Sequence, residues 1–251
     1  MPDVTAVRLS LALIGVYLVI SSAELLVRRR ALADGLLSWQ TARLTRLLDY
    51  RVILFVLVMR AIAGAVLIWG GGLVASACVA AAATSLAISV RLVYGSDGAD
   101  QFASIALVSF ALTLPFGARA VHAALFFVAF QSLLAYTTAG TTKLLSHQWR
   151  DGSGLLALTG TKTFGMPSLH KVLASHRTVT MAASWSVIAV ELSIIVLFAG
   201  GSRTLQIGLL LALLFHVAAA LVMRLHTFVW SFAAAFPALF WARGALERLM
   251  N

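Results

Sequence analysis

Few side chains in this sequence can carry chemistry, and most of them stand inside long apolar runs. Lys143 closes the stretch Tyr136-Thr-Thr-Ala-Gly-Thr-Thr-Lys143, Glu191 sits midway along Trp185-Ser-Val-Ile-Ala-Val-Glu-Leu-Ser, and His216 follows Phe215 among apolar neighbours. Arg60 lies within the run that opens at Val52, Glu24 stands near the end of the first run, and Asp97 and Asp100 open the fourth. An ionisable side chain at the centre of a lipid-embedded helix costs ~2.5–3.5 kcal/mol on insertion scales. Such a residue is paired, or placed for function, or both.

Counting back along a helix by three and four residues, Lys143 shares a face with Ala139, Tyr136 and Ser132. That face is small and polar, which permits close helix packing. Burial there disfavours the ammonium form and would make the neutral amine available as a base; the alternative is a lysine snorkelling from a helix end. Glu191 cannot snorkel from mid-span, so it is protonated or paired. Arg60 is the obvious kind of partner, either as a structural ion pair or in support of catalysis. His216 is a hydrogen-bonded packing residue or a proton relay.

Other chemistries find no support. The spacings of His170 to His176 and of His216 to His226 are not those of helical metal ligands, so no metal site is expected. There is no P-loop, dinucleotide fingerprint or nucleophile elbow; Gly70-Gly71-Gly72 joins two apolar runs with no strand before it. Cys78 is the single cysteine, which excludes an intrachain disulfide and CxxC redox chemistry.

The elements that must position these residues follow from composition. Of 251 residues 61% are hydrophobic and 11% charged, with a mean hydropathy of +0.96. A soluble domain carries roughly 25% charge to wet its surface, so this chain is a polytopic membrane protein, all-α, built as a transmembrane helix bundle. Spans of ~20 apolar residues are expected at Ala6–Val27, Val52–Trp69, Leu73–Val90, Gln101–Pro115, Ala120–Leu145, Val179–Gly200, Leu205–Met223 and Thr227–Ala242, the fourth and last being short. The bundle, about eight spans in one domain over 1–251, would carry an Arg-rich amphipathic interfacial segment at 28–51. A long extramembrane loop would occupy 146–178. The first run outlasts a signal-peptide core and no small-residue cleavage site follows it, so it reads as a retained anchor.

Nineteen Lys and Arg stand against nine Asp and Glu, a net charge of +10. The basic residues fall mostly between apolar runs, where they face anionic headgroups of the bilayer and set topology; nucleic acid is not an expected partner. With eight spans, the two basic loops share one side, read as cytoplasmic, with the termini outside.

One stretch carries a likeness. Tyr136-Thr-Thr-Ala-Gly-Thr-Thr-Lys-Leu-Leu-Ser-His-Gln-Trp-Arg-Asp-Gly152 resembles the signature of the HTTM family, which includes the membrane domain of vitamin K-dependent gamma-carboxylase. Ala139-Gly140, Lys143-Leu144, Trp149 and Asp151-Gly152 match in spacing. Glu191-Leu-Ser followed by Ser202-Arg203, then Phe215-His216, Phe228, Pro237 and Phe240, agree as well, and Gly98-Ala-Asp-Gln101 resembles a short polar motif opening an earlier helix. The likeness covers about residues 90–242. It implies that Lys143 deprotonates a reduced quinone of the menaquinol or vitamin K type, whose oxygenation yields a base strong enough to act on a peptide. Where the family has an assisting His, this chain has Asp100. Small bacterial members resemble the membrane component that matures a secreted sporulation-delaying toxin with a small partner protein.

Two functions follow. In the first, a carboxylase-like enzyme of the bacterial cell membrane matures a peptide or a lipid- or quinone-linked substrate. Lys143, Asp100 and His216 are its catalytic residues, and Tyr136, Trp149, Asp151, Glu191 and Arg60 form the surrounding polar site. In the second, the protein is a non-catalytic scaffold that binds a secreted precursor peptide or a small partner protein, its polar residues acting as interhelical glue.

Overall fold

In lipid no water completes a backbone hydrogen bond, so a spanning segment must satisfy its own N–H and C=O groups, and the chain is helical wherever it is apolar. A computed structural model describes residues 2–28, 50–91, 97–162 and 165–250. Every regular element among them is helical: α1 (Pro2–Val27), α2 (Tyr50–Trp69), α3 (Val74–Arg91), α4 (Gly98–Thr113) with a 3-10 turn at Leu114–Phe116, α5 (Ala118–Leu145), α6 (His147–Arg150), α7 (Ser153–Thr159), α8 (Pro167–Ser175), α9 (Arg177–Ala199), α10 (Ser202–Met223), α11 (His226–Ala233) and α12 (Phe236–Met250).

Among the described residues, seven helical stretches are long and apolar enough to cross a membrane: Asp3–Val27, Tyr50–Trp69, Gly98–Phe116, Ala118–Leu145, Arg177–Ala199, Ser202–Met223 and His226–Met250. Val74–Val90 is a shorter apolar helix, which brings the bundle to about the eight spans expected. Large apolar side chains such as Phe55, Ile62, Leu112, Phe130, Leu210 and Leu221 stay exposed on it, an outer surface suited to hydrocarbon. The protein is a multi-pass integral membrane helix bundle.

Three boundaries differ from the sequence expectation. The fourth span starts at Gly98 rather than Gln101, because Asp97 and Asp100 form a capping box: Asp97 accepts from the Ala99 and Asp100 amides while Asp100 accepts from the Asp97 amide. The last span extends past Ala242 to Met250, with a turn between α11 and α12 just before Pro237. The segment 146–178 is no plain loop, since its described part holds α6, α7 and α8. The interfacial segment expected at 28–51 lies almost wholly outside the described residues.

The contacts divide the chain into two compact units, Met1–Val128 with Trp230–Trp241, and Ala129–Val229 with Ala242–Asn251. In the first, α1 and α2 cross closely. A Cβ on Gly15 would lie 2.5 Å from the Gly64 carbonyl oxygen, and one on Gly64 would lie 2.8 Å from the Gly15 oxygen. Only glycine permits that approach, the small-residue packing by which helices associate where no hydrophobic effect drives them. Ile53 and Leu57 of α2 form an apolar cluster with Ile88 of α3, and Phe102 stacks on Phe232 with ring centroids 5.2 Å apart. In the second unit α9 and α10 form a helical hairpin about Gly200–Gly201, and Gly201, at φ +119°, takes a conformation that suits glycine.

Candidate functional site

In the second unit, α5 presents one polar face built at four-residue spacing: Ser132, Tyr136 and Gly140 are buried and Lys143 is half-buried. Gly140 sets the helix separation. A Cβ there would meet Leu192 at 2.8 Å and the Glu191 Cβ at 3.1 Å, so α9 lies directly against it. One turn further along α5, the Lys143 ammonium donates to both Glu191 oxygens at 2.8 Å. The carboxylate side chain is 6% exposed and the lysine 20%, so the lysine is the more exposed member of the pair. One turn back, the Tyr136 hydroxyl and His216 Nε2 of α10 share a hydrogen bond of 2.6 Å, both side chains being buried. Phe215 and Phe228 flank the imidazole.

The partner expected for Glu191 is thus corrected: its counter-charge is Lys143, not Arg60. A mid-span carboxylate takes the nearest cation its own helix packing supplies, and the Gly140 contact supplies Lys143.

Trp149 places its ring 5.2 Å from the Lys143 ammonium, a cation–π contact. Its position follows from a turn pinned to α9. Ser184 Oγ donates to the Trp149 carbonyl and Trp185 Nε1 to the Arg150 carbonyl at 3.2 Å. Gly152, at φ +84°, reverses the chain against Thr180 and Met181 of α9. Asp151 is not at the amine; its carboxylate accepts from the Ser153 amide at 2.8 Å and pairs with His147 at 3.0 Å. These bonds to Ser153, with His147 close by, hold the Asp151 carboxyl below its ordinary range.

The first unit holds a separate polar cluster. Arg60 is buried, and its guanidinium donates to Ser85 at 3.2 Å, Ser21 at 2.6 Å and Tyr17 at 3.0 Å, with Ser22 at 3.5 Å. The Tyr17 hydroxyl in turn donates to Asp100. Tyr17 therefore stands between the charges, accepting from the cation and donating to the anion, while its ring packs 5.3 Å from the guanidinium carbon. Burial, with the Asp100 carboxyl beside it, pushes the Asp97 carboxyl above its ordinary range.

The residues singled out from sequence therefore fall into two groups. Arg60 and Asp100 belong to the first unit; Lys143, Glu191, Tyr136, His216, Trp149 and Asp151 belong to the second. Sequence reasoning passed over Tyr17, Ser21 and Ser85, although Tyr17 and Ser21 stand four apart on one face of α1, a signal that a buried cation nearby could use. Among the described residues no cluster of His, Cys, Asp and Glu is arranged to hold a metal ion.

Fold and clusters define the class: a multi-pass helical membrane protein with paired ionisable groups inside its helices. Comparison with protein-family models, with curated proteins and with solved structures returned no match to this chain.

Proposed function

We propose that the second unit is an acid–base site of HTTM type, with Lys143 as the base, acting on a peptide or on a lipid- or quinone-linked substrate at a bacterial cell membrane. The observation that carries the reading is the Lys143–Glu191 pair, a buried carboxylate held by a half-buried lysine. Passage of one proton from Lys143 Nζ to a Glu191 oxygen leaves a neutral amine and a carboxylic acid. That exchange buries no new charge, which makes it compatible with a low-dielectric interior. The neutral amine can then take a proton from an acidic O–H or C–H placed against it, which leaves an ammonium beside the substrate anion while Glu191 keeps its proton and stays hydrogen-bonded to the lysine.

The indole of Trp149 beside the amine is a flat apolar wall next to a proton acceptor, a donor set that fits an oxygen-bearing aromatic ring. A reduced quinone bound there would supply ionisable hydroxyls and reducing electrons. Tyr136 and His216 orient one another and keep a second exchangeable proton on the same α5 face. The likeness of 136–152 and of Glu191-Leu-Ser to the HTTM pattern supports the reading.

A second reading rests on the same geometry. Both polar pairs are mutually satisfied across helices, as interhelical glue would be, and the protein is then a scaffold for a secreted precursor peptide or a small partner protein. The two separate on Lys143→Ala and Lys143→Met, assayed for menaquinone retained through purification and for mass change of a co-expressed precursor. The enzymatic reading expects both signals in wild type and neither in the two variants, with the variants still inserted and folded. Normal modification by a folded Lys143→Ala protein overturns it, and a stoichiometric protein partner retained by Lys143→Met without any turnover favours the scaffold.

A further inference from the structure

The membrane face of the second unit that carries 146–176 is basic, and its cations play no part in the acid–base reading. The segment leaves from the end of α5 and returns at the start of α9, and the α9–α10 hairpin brings Arg224 back to the same face. Arg150, Lys162, Lys171, Arg177 and Arg224 are all exposed there. The single carboxylate in 146–178, Asp151, is engaged with Ser153 and His147 and lies near Arg177. Among the described residues Arg150, Lys162 and Lys171 have no carboxylate partner.

This surface is a built platform. Thr180 Oγ1 donates to the Leu173 carbonyl at 2.7 Å, tying α8 to α9, and His170 Nδ1 lies 3.2 Å from the Leu156 carbonyl, tying α8 to α7. With the Ser184 and Trp185 bonds to the α6 turn, the short helices are fixed to a spanning helix. On α8 only Leu173 is buried; Val172 is 51% exposed beside Lys171, and Met166 just before the helix is exposed too. Cations alternating with exposed apolar side chains, held at the end of spanning helices, match a headgroup layer: the charge meets phosphate while the apolar groups reach the acyl boundary.

We infer that the face formed by α6–α8 and the adjoining ends of α9 and α10 binds the headgroups of anionic phospholipids in the leaflet it adjoins. The inference does not depend on the Lys143 site. Charge complementarity selects this occupant: a surface with five exposed cations and one engaged carboxylate, lying at the membrane boundary, meets anionic lipid at high local concentration.

The test uses the full-length protein in phosphatidylcholine vesicles carrying trace spin-labelled phosphatidylglycerol or phosphatidylcholine, reading the motionally restricted lipid fraction. Phosphatidylglycerol is expected to be preferred by about fivefold at low salt, falling toward equality in 1 M salt. Replacing Arg150, Lys162, Lys171, Arg177 and Arg224 by Gln should remove most of the preference, whereas Arg203→Gln at the opposite end of the hairpin should leave it. Should the fivefold replacement fail to fold, the exposed pair Lys162→Gln and Lys171→Gln should still lower it measurably. Equal restriction of the two lipids at low salt, a preference untouched by the replacements, or capture of an acidic peptide without lipid selectivity would each overturn the inference.

Discussion

At the scale of single residues, the Lys143–Glu191 pair decides most. Removing the lysine leaves a buried carboxylate uncompensated, so Lys143→Met should lower stability by about 3–5 kcal/mol, read as thermal unfolding in detergent, and Glu191→Gln, which leaves the more exposed lysine, should lower it by less. Changing both to Met should recover much of the loss, because the burden is the orphaned charge rather than the missing bond. Asp151 gives a pH prediction. Its carboxyl titrates below its ordinary value in the folded state, so its contribution is present above the unfolded pKa of about 3.9 and is lost as pH falls through the lower folded value. The protection of the Ser153 amide relative to its intrinsic exchange rate should therefore fall as pH drops below about 4, and Asp151→Asn should flatten that dependence. Which residues were polar and in the wrong solvent was legible from sequence; which cation met which anion was not. Lys143 reaches Glu191 because Gly140 admits α9, and Arg60 is surrounded by hydroxyls of α1 and α3, choices made by helix packing that no spacing along one run records.

At the scale of elements, glycines set helix distances. Gly15→Ala should force α1 and α2 apart and destabilise by about 1–3 kcal/mol or more, while Gly72→Ala, whose Cβ meets nothing within 4 Å, should change stability little; parallel detergent melts make the comparison. Gly140→Ala should disturb the Lys143–Glu191 contact as well as the packing, because its Cβ would intrude on Glu191 itself. Helix existence was readable from ~20-residue apolar runs, and Gly70–Gly72 marked the joint between two of them. Helix ends were less so. Apolar runs start α4 at Gln101 because they exclude the two Asp that open it, which the capping box makes part of its first turn, and they end the last span at Ala242 because the later turns of α12 carry Arg243, Glu247 and Arg248. Two of those charges pair at 3.2 Å, and Glu247 also accepts from the Ser202 amide and hydroxyl.

At the scale of the whole molecule, composition alone required a membrane protein, and the described helices agree. Cys78 is buried with its thiol against the Leu107 carbonyl, so native protein should resist maleimide until unfolded. In a Cys78→Ala background, Val172→Cys and Arg224→Cys should label from one side of the membrane and Ala199→Cys only from the other; labelling of all three from one side would contradict the α9–α10 hairpin as a pair of crossings. The Arg60 cluster has a consequence for how such a chain is made. Three other helices, α1, α3 and α4, furnish what its guanidinium needs, and the α4 carboxylate is reached through the Tyr17 hydroxyl. A nascent chain that has delivered α1 and α2 to the bilayer but not yet α4 holds a cation with hydroxyl partners and no counter-charge. The charge of Arg60 is balanced only when the fourth helix brings Asp100 to Tyr17.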